Sequence, residues 1–233
     1  MNTHESMSSM PVAAASADVR ARFITRTYMH LFGAILGFTL IEVWLFSSGA
    51  AETIARVLLS GSWLLVLGAF MIVGWLASKT AMTSTSPGMQ YAALAGFVFA
   101  QAIIFVPLLY VAQSVAGGGV IENAALVTLA GFSVLTYIAH STGKDFSFLG
   151  SILRWGGFIA IAAIVGSVFL GFQLGTWFII AMIGFAGAAI LYDTSQVLHS
   201  YPPDRHVAAA LQLFSSVALL FWYVLQFFIS SDD

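Results

Sequence analysis

The sequence predicts an all-α integral membrane protein, a bundle of seven transmembrane helices, and three observations predict it. First, 60% of the 233 residues are hydrophobic and only 8% are charged, with mean hydropathy +0.94. Roughly a quarter of an ordinary globular chain is charged, so a water-soluble domain has no way to hide this much apolar surface. Second, between Thr27 and Ile229 the chain runs through seven apolar segments that hold only two carboxylates, Glu42 and Asp193. Third, these runs lack period-two alternation and are too long for single strands, which excludes a β-barrel. Seven spans of ~20 residues would use about 140 residues, which leaves little for a soluble module.

The spans are expected at 27–46, 62–78, 91–112, 123–140, 155–172, 175–198 and 208–229. Each break has a local cause. Ser47-Ser48-Gly49 ends the first span. Thr83 to Gly88, with Pro87, separates the second from the third. Gly117-Gly118-Gly119 parts the third from the fourth. Ser141 to Asp145 follows the fourth, Gln173 to Gly175 is a tight turn, and Tyr201-Pro202-Pro203-Asp204 precedes the last. Residues 1–19 are rich in Ser, Ala and Met and lack an apolar h-region, so they are expected to be a disordered cytoplasmic tail and not a signal peptide. The membrane domain is then 20–229, with a short acidic tail over 230–233. Small residues at Gly33/Gly37, Gly96/Ala100 and Gly184/Ala188 have helix-contact spacing and are read as ordinary bundle packing in lipid.

Lys and Arg bias sets the expected orientation. With the N-terminus inside, the inner segments hold Arg20, Arg22, Arg26, Lys79, Lys144, Arg154 and Arg205, and the outer ones hold only Arg56. That predicts a cytoplasmic N-terminus and an outside C-terminus. The chain has no cysteine, so disulfides, thiolate metal sites and a cysteine nucleophile are ruled out. The dispersed cations give nucleic-acid binding no support. Enzyme readings fail as well. A retinal-type Schiff base needs a lysine in the bundle, and Lys79 and Lys144 fall in or beside loops. An aspartyl protease needs a second carboxylate at the site. Ser133 and His140, at ~10 Å by helical rise, are too far apart for a direct dyad, and zinc hydrolysis lacks a histidine cluster. No cofactor is expected, and the bilayer is the one partner composition implies.

Ionisable groups inside lipid are costly, so function is sought at them. Asp193 sits roughly 8 Å inside the inner end of the sixth span. The seventh span carries Gln212, Ser216, Tyr223 and Gln226 on one face, with Ser215 alongside. Ser216 falls at a depth similar to Asp193 on the antiparallel neighbour, which predicts a Ser216–Asp193 contact, direct or through water. Its alternative meaning is helix–helix hydrogen bonding without transport. Glu42, near the outer end of the first span, is expected in the opposite leaflet from Asp193, guarding an outer vestibule or reaching the headgroups. His30 and His140, near inner span ends, are candidate proton sensors. Lys79, on the same side as Asp193, is the candidate charge partner.

Lys144-Asp145-Phe146-Ser147-Phe148-Leu149-Gly150 after the fourth span, together with Tyr192-Asp193-Thr194, resembles the Bax inhibitor-1 family in its bacterial YccA-like branch. The resemblance covers nearly the whole chain after about residue 20. It implies a seven-helix protein of a bacterial inner membrane, linked to calcium leak and to stress or cell-death control, with a membrane-bound protease as a partner in some relatives. It also implies that the sixth-span aspartate pairs with a seventh-span aspartate as a proton-sensitive gate. Asp193 matches the first position. Ser216 stands at the second, so the second carboxylate is missing, and a glutamate typical of the third span stands here as Gln101. One carboxylate facing a serine loses the stepwise titration of a pair, which implies a weakened or displaced pH response. The rival expectation is a non-conducting membrane regulator.

Overall fold

The computed structural model describes residues 11–115 and 119–231. A single 3-10 turn, Val12–Ala14, is followed by eight helices: α1 Ala17–Ser47, α2 Ala50–Ser60, α3 Trp63–Thr83, α4 Pro87–Val115, α5 Val120–Thr142, α6 Leu149–Leu170, α7 Thr176–His199 and α8 His206–Ser231. All but α2 are long and apolar enough to cross a membrane. The seven expected spans are therefore present, each within α1 or α3–α8 apart from a residue or two at three ends. The described residues contain no strand. Residues 1–10, 116–118 and 232–233, which include the expected Gly117-Gly118 break and the acidic end of the chain, lie outside the described residues.

The differences have physical causes. Hydropathy starts the first span at Thr27 because Arg20, Arg22 and Arg26 interrupt the apolar run, yet α1 begins at Ala17. The helix continues past its apolar part as a polar extension, with Asp18 in its first turn, where the helix dipole favours a negative charge. Within residues 11–19, expected to be part of a loose tail, Val12 is an anchor on the bundle. Val12 is fully buried, its N–H donates to the Tyr201 carbonyl at 2.9 Å, and the Phe23 ring stacks on Tyr201 at 6.5 Å. Helix α2 occupies the connection between the first two expected spans, where hydropathy predicts no span. It is too short to span and amphipathic: Ala51 and Ala55 are buried against Leu45 and Val106, while Glu52 and Arg56 pair at 2.6 Å on the other side. The reversal from α1 into α2 turns on Gly49 at φ 78°, a conformation that costs glycine little.

Helix α8 is the core. In its most apolar stretch 72% of residues are buried, against 6% in α6, which packs chiefly on α7. Helices α1, α3, α4, α5 and α7 all pack on α8. Aromatic rings knit the centre: Phe105 meets Trp222 edge-on at 4.9 Å and Phe38 at 5.2 Å, and Phe97 meets Phe214 at 6.1 Å. Such pairs are worth about 0.5–1.5 kcal/mol beyond the area they bury. Large apolar side chains elsewhere point outward, among them Trp44, Trp75, Trp155 and Trp177, as lipid contact requires.

The small-residue pairs are mostly not close helix contacts. A Cβ on Gly33, Gly96 or Gly184 would meet nothing within 4 Å, and one on Gly37 would meet only Val98, at 3.8 Å. The tightest approaches are at Gly150 against Tyr192 and Gly156 against Phe185.

Candidate functional site

Helices α7 and α8 are consecutive and antiparallel, so the end of one lies beside the start of the other. The starts of α1, α4, α6 and α8 and the ends of α3, α5 and α7 gather on what is here termed the near face. There Arg205 donates to the Ser84 carbonyl across the bundle. One buried pair lies below this face. Asp193 on α7 is 2% exposed and Ser216 on α8 is 5% exposed. The Ser216 hydroxyl donates to Asp193 Oδ2 at 2.5 Å. The contact predicted from matched depths is present and direct.

Asp193 and Gln212 line a near-face cavity of about 410 Å³ with Tyr192, Gln196, Tyr201 and Met82. Burial pushes the Tyr201 phenol above its ordinary value, so it enters this cavity as a neutral hydroxyl. A second cavity of about 560 Å³ lies in the opposite half of the bundle, among α3, α4, α6, α7 and α8. Gln101, Ser167, Ser215, Tyr223 and Gln226 give its otherwise apolar wall polar points. Gln212 in one cavity and Ser215 in the other are three residues apart on α8, a rise of ~4.5 Å. The polar stripe of the last span thus serves both cavities, and Ser216 follows Ser215 directly on α8.

The two motifs that carried the resemblance meet at the near face. The Phe146 N–H donates to Ser195 Oγ at 2.9 Å, and Ser195 Oγ lies 3.3 Å from Asp145 Oδ1 as its donor. Asp145 also accepts the Ser147 N–H at 2.8 Å, and that backbone bond holds its carboxyl below the ordinary carboxylate range. Gly150 lets the Tyr192 ring approach: a Cβ there would sit 2.9 Å from it. Gln196 in turn donates to the Tyr192 hydroxyl at 2.7 Å. The loop therefore clamps the end of α7 and fixes the helix turn that presents Asp193. Sequence reasoning did not connect the two motifs, because nothing in a single chain shows that residues about 50 positions apart touch.

The remaining candidates are placed elsewhere. Lys79 is exposed, with Nζ 4.8 Å above the Trp75 ring, so it is not the partner expected for Asp193. Among the described residues no Lys, Arg or His forms an ion pair with Asp193. His30 lies against the Arg26 carbonyl at 2.6 Å and packs on Tyr91 and His206. His140 is exposed beside Tyr28. Glu42 lies in neither cavity already described. It lines a third one, between α1 and α5.

With this geometry in place, the comparisons with known proteins decide the family. The model of the family described as inhibitor of apoptosis-promoting Bax1 matches residues 20–233. The chain belongs to the Bax inhibitor-1 family. An uncharacterised Pseudomonas aeruginosa protein is 33% identical over 115 residues, 48% of this chain and 50% of that protein. The Golgi anti-apoptotic protein of Vaccinia virus is 25% identical over 225 residues, covering 92% of this chain and 88% of that protein. Mouse protein lifeguard 4 is 26% identical over 225 residues, covering 93% and 88%. The chain spans 50–60% of the length of the bacterial relatives it matches. Seven apolar helices and the family together make this an integral membrane protein.

Proposed function

We propose that this Bax inhibitor-1 family protein is a non-enzymatic cation leak pathway, with calcium as the ion, closed between its two cavities at Asp193 and Ser216. The observation that carries the reading is the arrangement along α8. A cavity from each half of the bundle reaches the same short stretch of helix, and the buried carboxyl that lines the near-face one is held by a hydroxyl from the facing helix. A carboxyl at the floor of such a cavity is the group a permeating cation meets. The Lys and Arg bias supports a cytoplasmic near face and an opposite face turned outward. Relatives in Pseudomonas and Neisseria support a bacterial inner membrane, and the anti-apoptotic name of the viral relative supports a role in stress control.

The pH response of this pathway is weak in this reading. Two adjacent carboxyls titrate in separated steps and switch near neutrality. Asp193 faces a hydroxyl that carries no charge in any relevant range, so that coupling is missing.

The test is calcium flux into proteoliposomes at pH 6 and pH 8, for the wild type beside Asp193→Asn. The expected result is flux above empty liposomes that is similar at the two pH values and falls to background in the variant. Absence of flux in both folded proteins overturns the channel and favours a non-conducting regulator, for which a membrane-bound protease is the partner to seek.

A further inference from the structure

Helices α1 and α5 both pack on α8 more than on each other. The crevice between them is a cavity of about 260 Å³, closed at one side by Leu109 of α4 and floored by Phe214, Ala218 and Phe221 of α8. Its wall is apolar except at three side chains, Thr39, Glu42 and Thr128. Both threonine hydroxyl protons are already used. Thr39 donates to the Ile35 carbonyl at 2.9 Å and Thr128 to the Ala124 carbonyl at 2.7 Å, each within its own helix. Glu42 is 7% exposed, and among the described residues neither of its carboxyl oxygens has a hydrogen-bond partner.

Buried polar groups in native structures are almost always satisfied, and an orphaned carboxyl calls for an explanation. It is not helix packing, because no donor from a facing helix reaches it. It is not the pathway proposed above, because Glu42 lines neither of those cavities. What this crevice lacks is a cation with an apolar body. We propose that it is a binding site for a lipophilic primary amine, entering from the bilayer between α1 and α5, with its ammonium on Glu42 and its chain along the phenylalanines of α8. Charge complementarity selects this occupant. A neutral chain leaves the carboxyl unsatisfied, and a bare metal ion finds one carboxyl and two threonine oxygens, short of the about six or more oxygen ligands that a hard cation takes. At the ~30 Å³ that a water or a methylene-sized group occupies, the cavity holds roughly nine heavy atoms, the size of n-octylamine.

The test is binding of n-octylamine and of its neutral isostere 1-octanol to the full chain in lipid nanodiscs, with empty discs subtracted to remove partitioning. The expected result is amine binding at least about tenfold tighter than alcohol binding, the scale of one charge-assisted hydrogen bond. Glu42→Gln, which keeps the shape, is expected to remove that preference and leave 1-octanol within about twofold. Ala125→Phe, filling the crevice from α5, is expected to abolish both, and it carries the test if Glu42→Gln fails to fold. Equal binding of amine and alcohol to the wild type overturns the proposal, since it makes the crevice a plain chain-binding groove. Undiminished amine binding to Glu42→Gln or to Ala125→Phe, or no binding above empty discs, overturns it as well. Calcium flux does not enter this test, so the site stands or falls apart from the channel.

Discussion

Asp193 and Glu42 are both carboxyls buried inside a membrane bundle, and their surroundings are opposite. Asp193 faces a cavity shared with Gln212 and receives the Ser216 hydroxyl from a neighbouring helix. Glu42 sits in an apolar crevice with no partner among the described residues. Burial alone therefore does not define a functional carboxyl in this fold. The donor set does: one residue is built into the closure of the bundle, and the other waits for a donor from outside. Removing the Asp193 partner disturbs the protein itself, whereas the Glu42 site responds to what is added.

The comparison can be broken experimentally, and the largest expected effect comes from restoring the second carboxyl. Ser216→Asp places two acids against each other, which cannot both ionise cheaply. Calcium flux in proteoliposomes is expected to become several-fold different between pH 6 and pH 8, where that of the wild type is expected to be nearly flat; an equally flat variant would mean that Ser216 does not control the proposed closure. Next comes Ser216→Ala, which strips the donor from Asp193. It is expected to lower unfolding stability in detergent by about 1–3 kcal/mol, the cost of leaving a buried acceptor unsatisfied. Glu42→Leu is expected to change stability by less than about 1 kcal/mol or to raise it, because a lone buried acid is replaced by a well-tolerated apolar group. A loss as large as that of Ser216→Ala would show that Glu42 has a native partner.

The smallest effect concerns the clamp that seats the Asp193 turn. The folded protein holds the Asp145 carboxyl below its unfolded value through the Ser147 N–H. Its stabilisation is present above the unfolded value, about 3.9, and is lost as pH falls through the lower folded value. Hydrogen exchange at Phe146 and Ser147 is expected to gain relative protection as pH rises past 4, after correction for intrinsic rates, and to lose it on acidification. Unchanged protection across that window would remove Asp145 from the clamp.

Much of this was legible in the sequence because lipid makes charge rare. Asp193 stands out as a carboxyl in an apolar run, and counting residues from the turn at 200–205 puts Ser216 at its depth. The same logic flagged Glu42 but could not say which cavity it would line, since that depends on which helices α1 leaves apart. Helix α2 was missed because a hydropathy reading finds spans, and an 11-residue amphipathic helix pinned by Ala51 and Ala55 has no such signal. The expected tail failed at Val12, whose burial depends on the Tyr201 carbonyl about 190 residues later. Lys79 shares a face with Asp193, but its long side chain turns back onto Trp75, one helical turn away. A side chain that finds a local ring needs no distant carboxylate.

The helix around which the bundle is arranged is also the one that follows the other six spans in the chain. During synthesis α1, α3, α4, α5 and α7 enter the bilayer before the helix they pack on exists, so their contacts at the centre of the bundle wait for α8. Both half-cavities and the Asp193–Ser216 bond then form in the final insertion event. A ribosome-tethered chain halted before His206 is expected to keep its spans in the membrane yet remain loosely associated and open to proteolysis at its loops, closing only when α8 slides in.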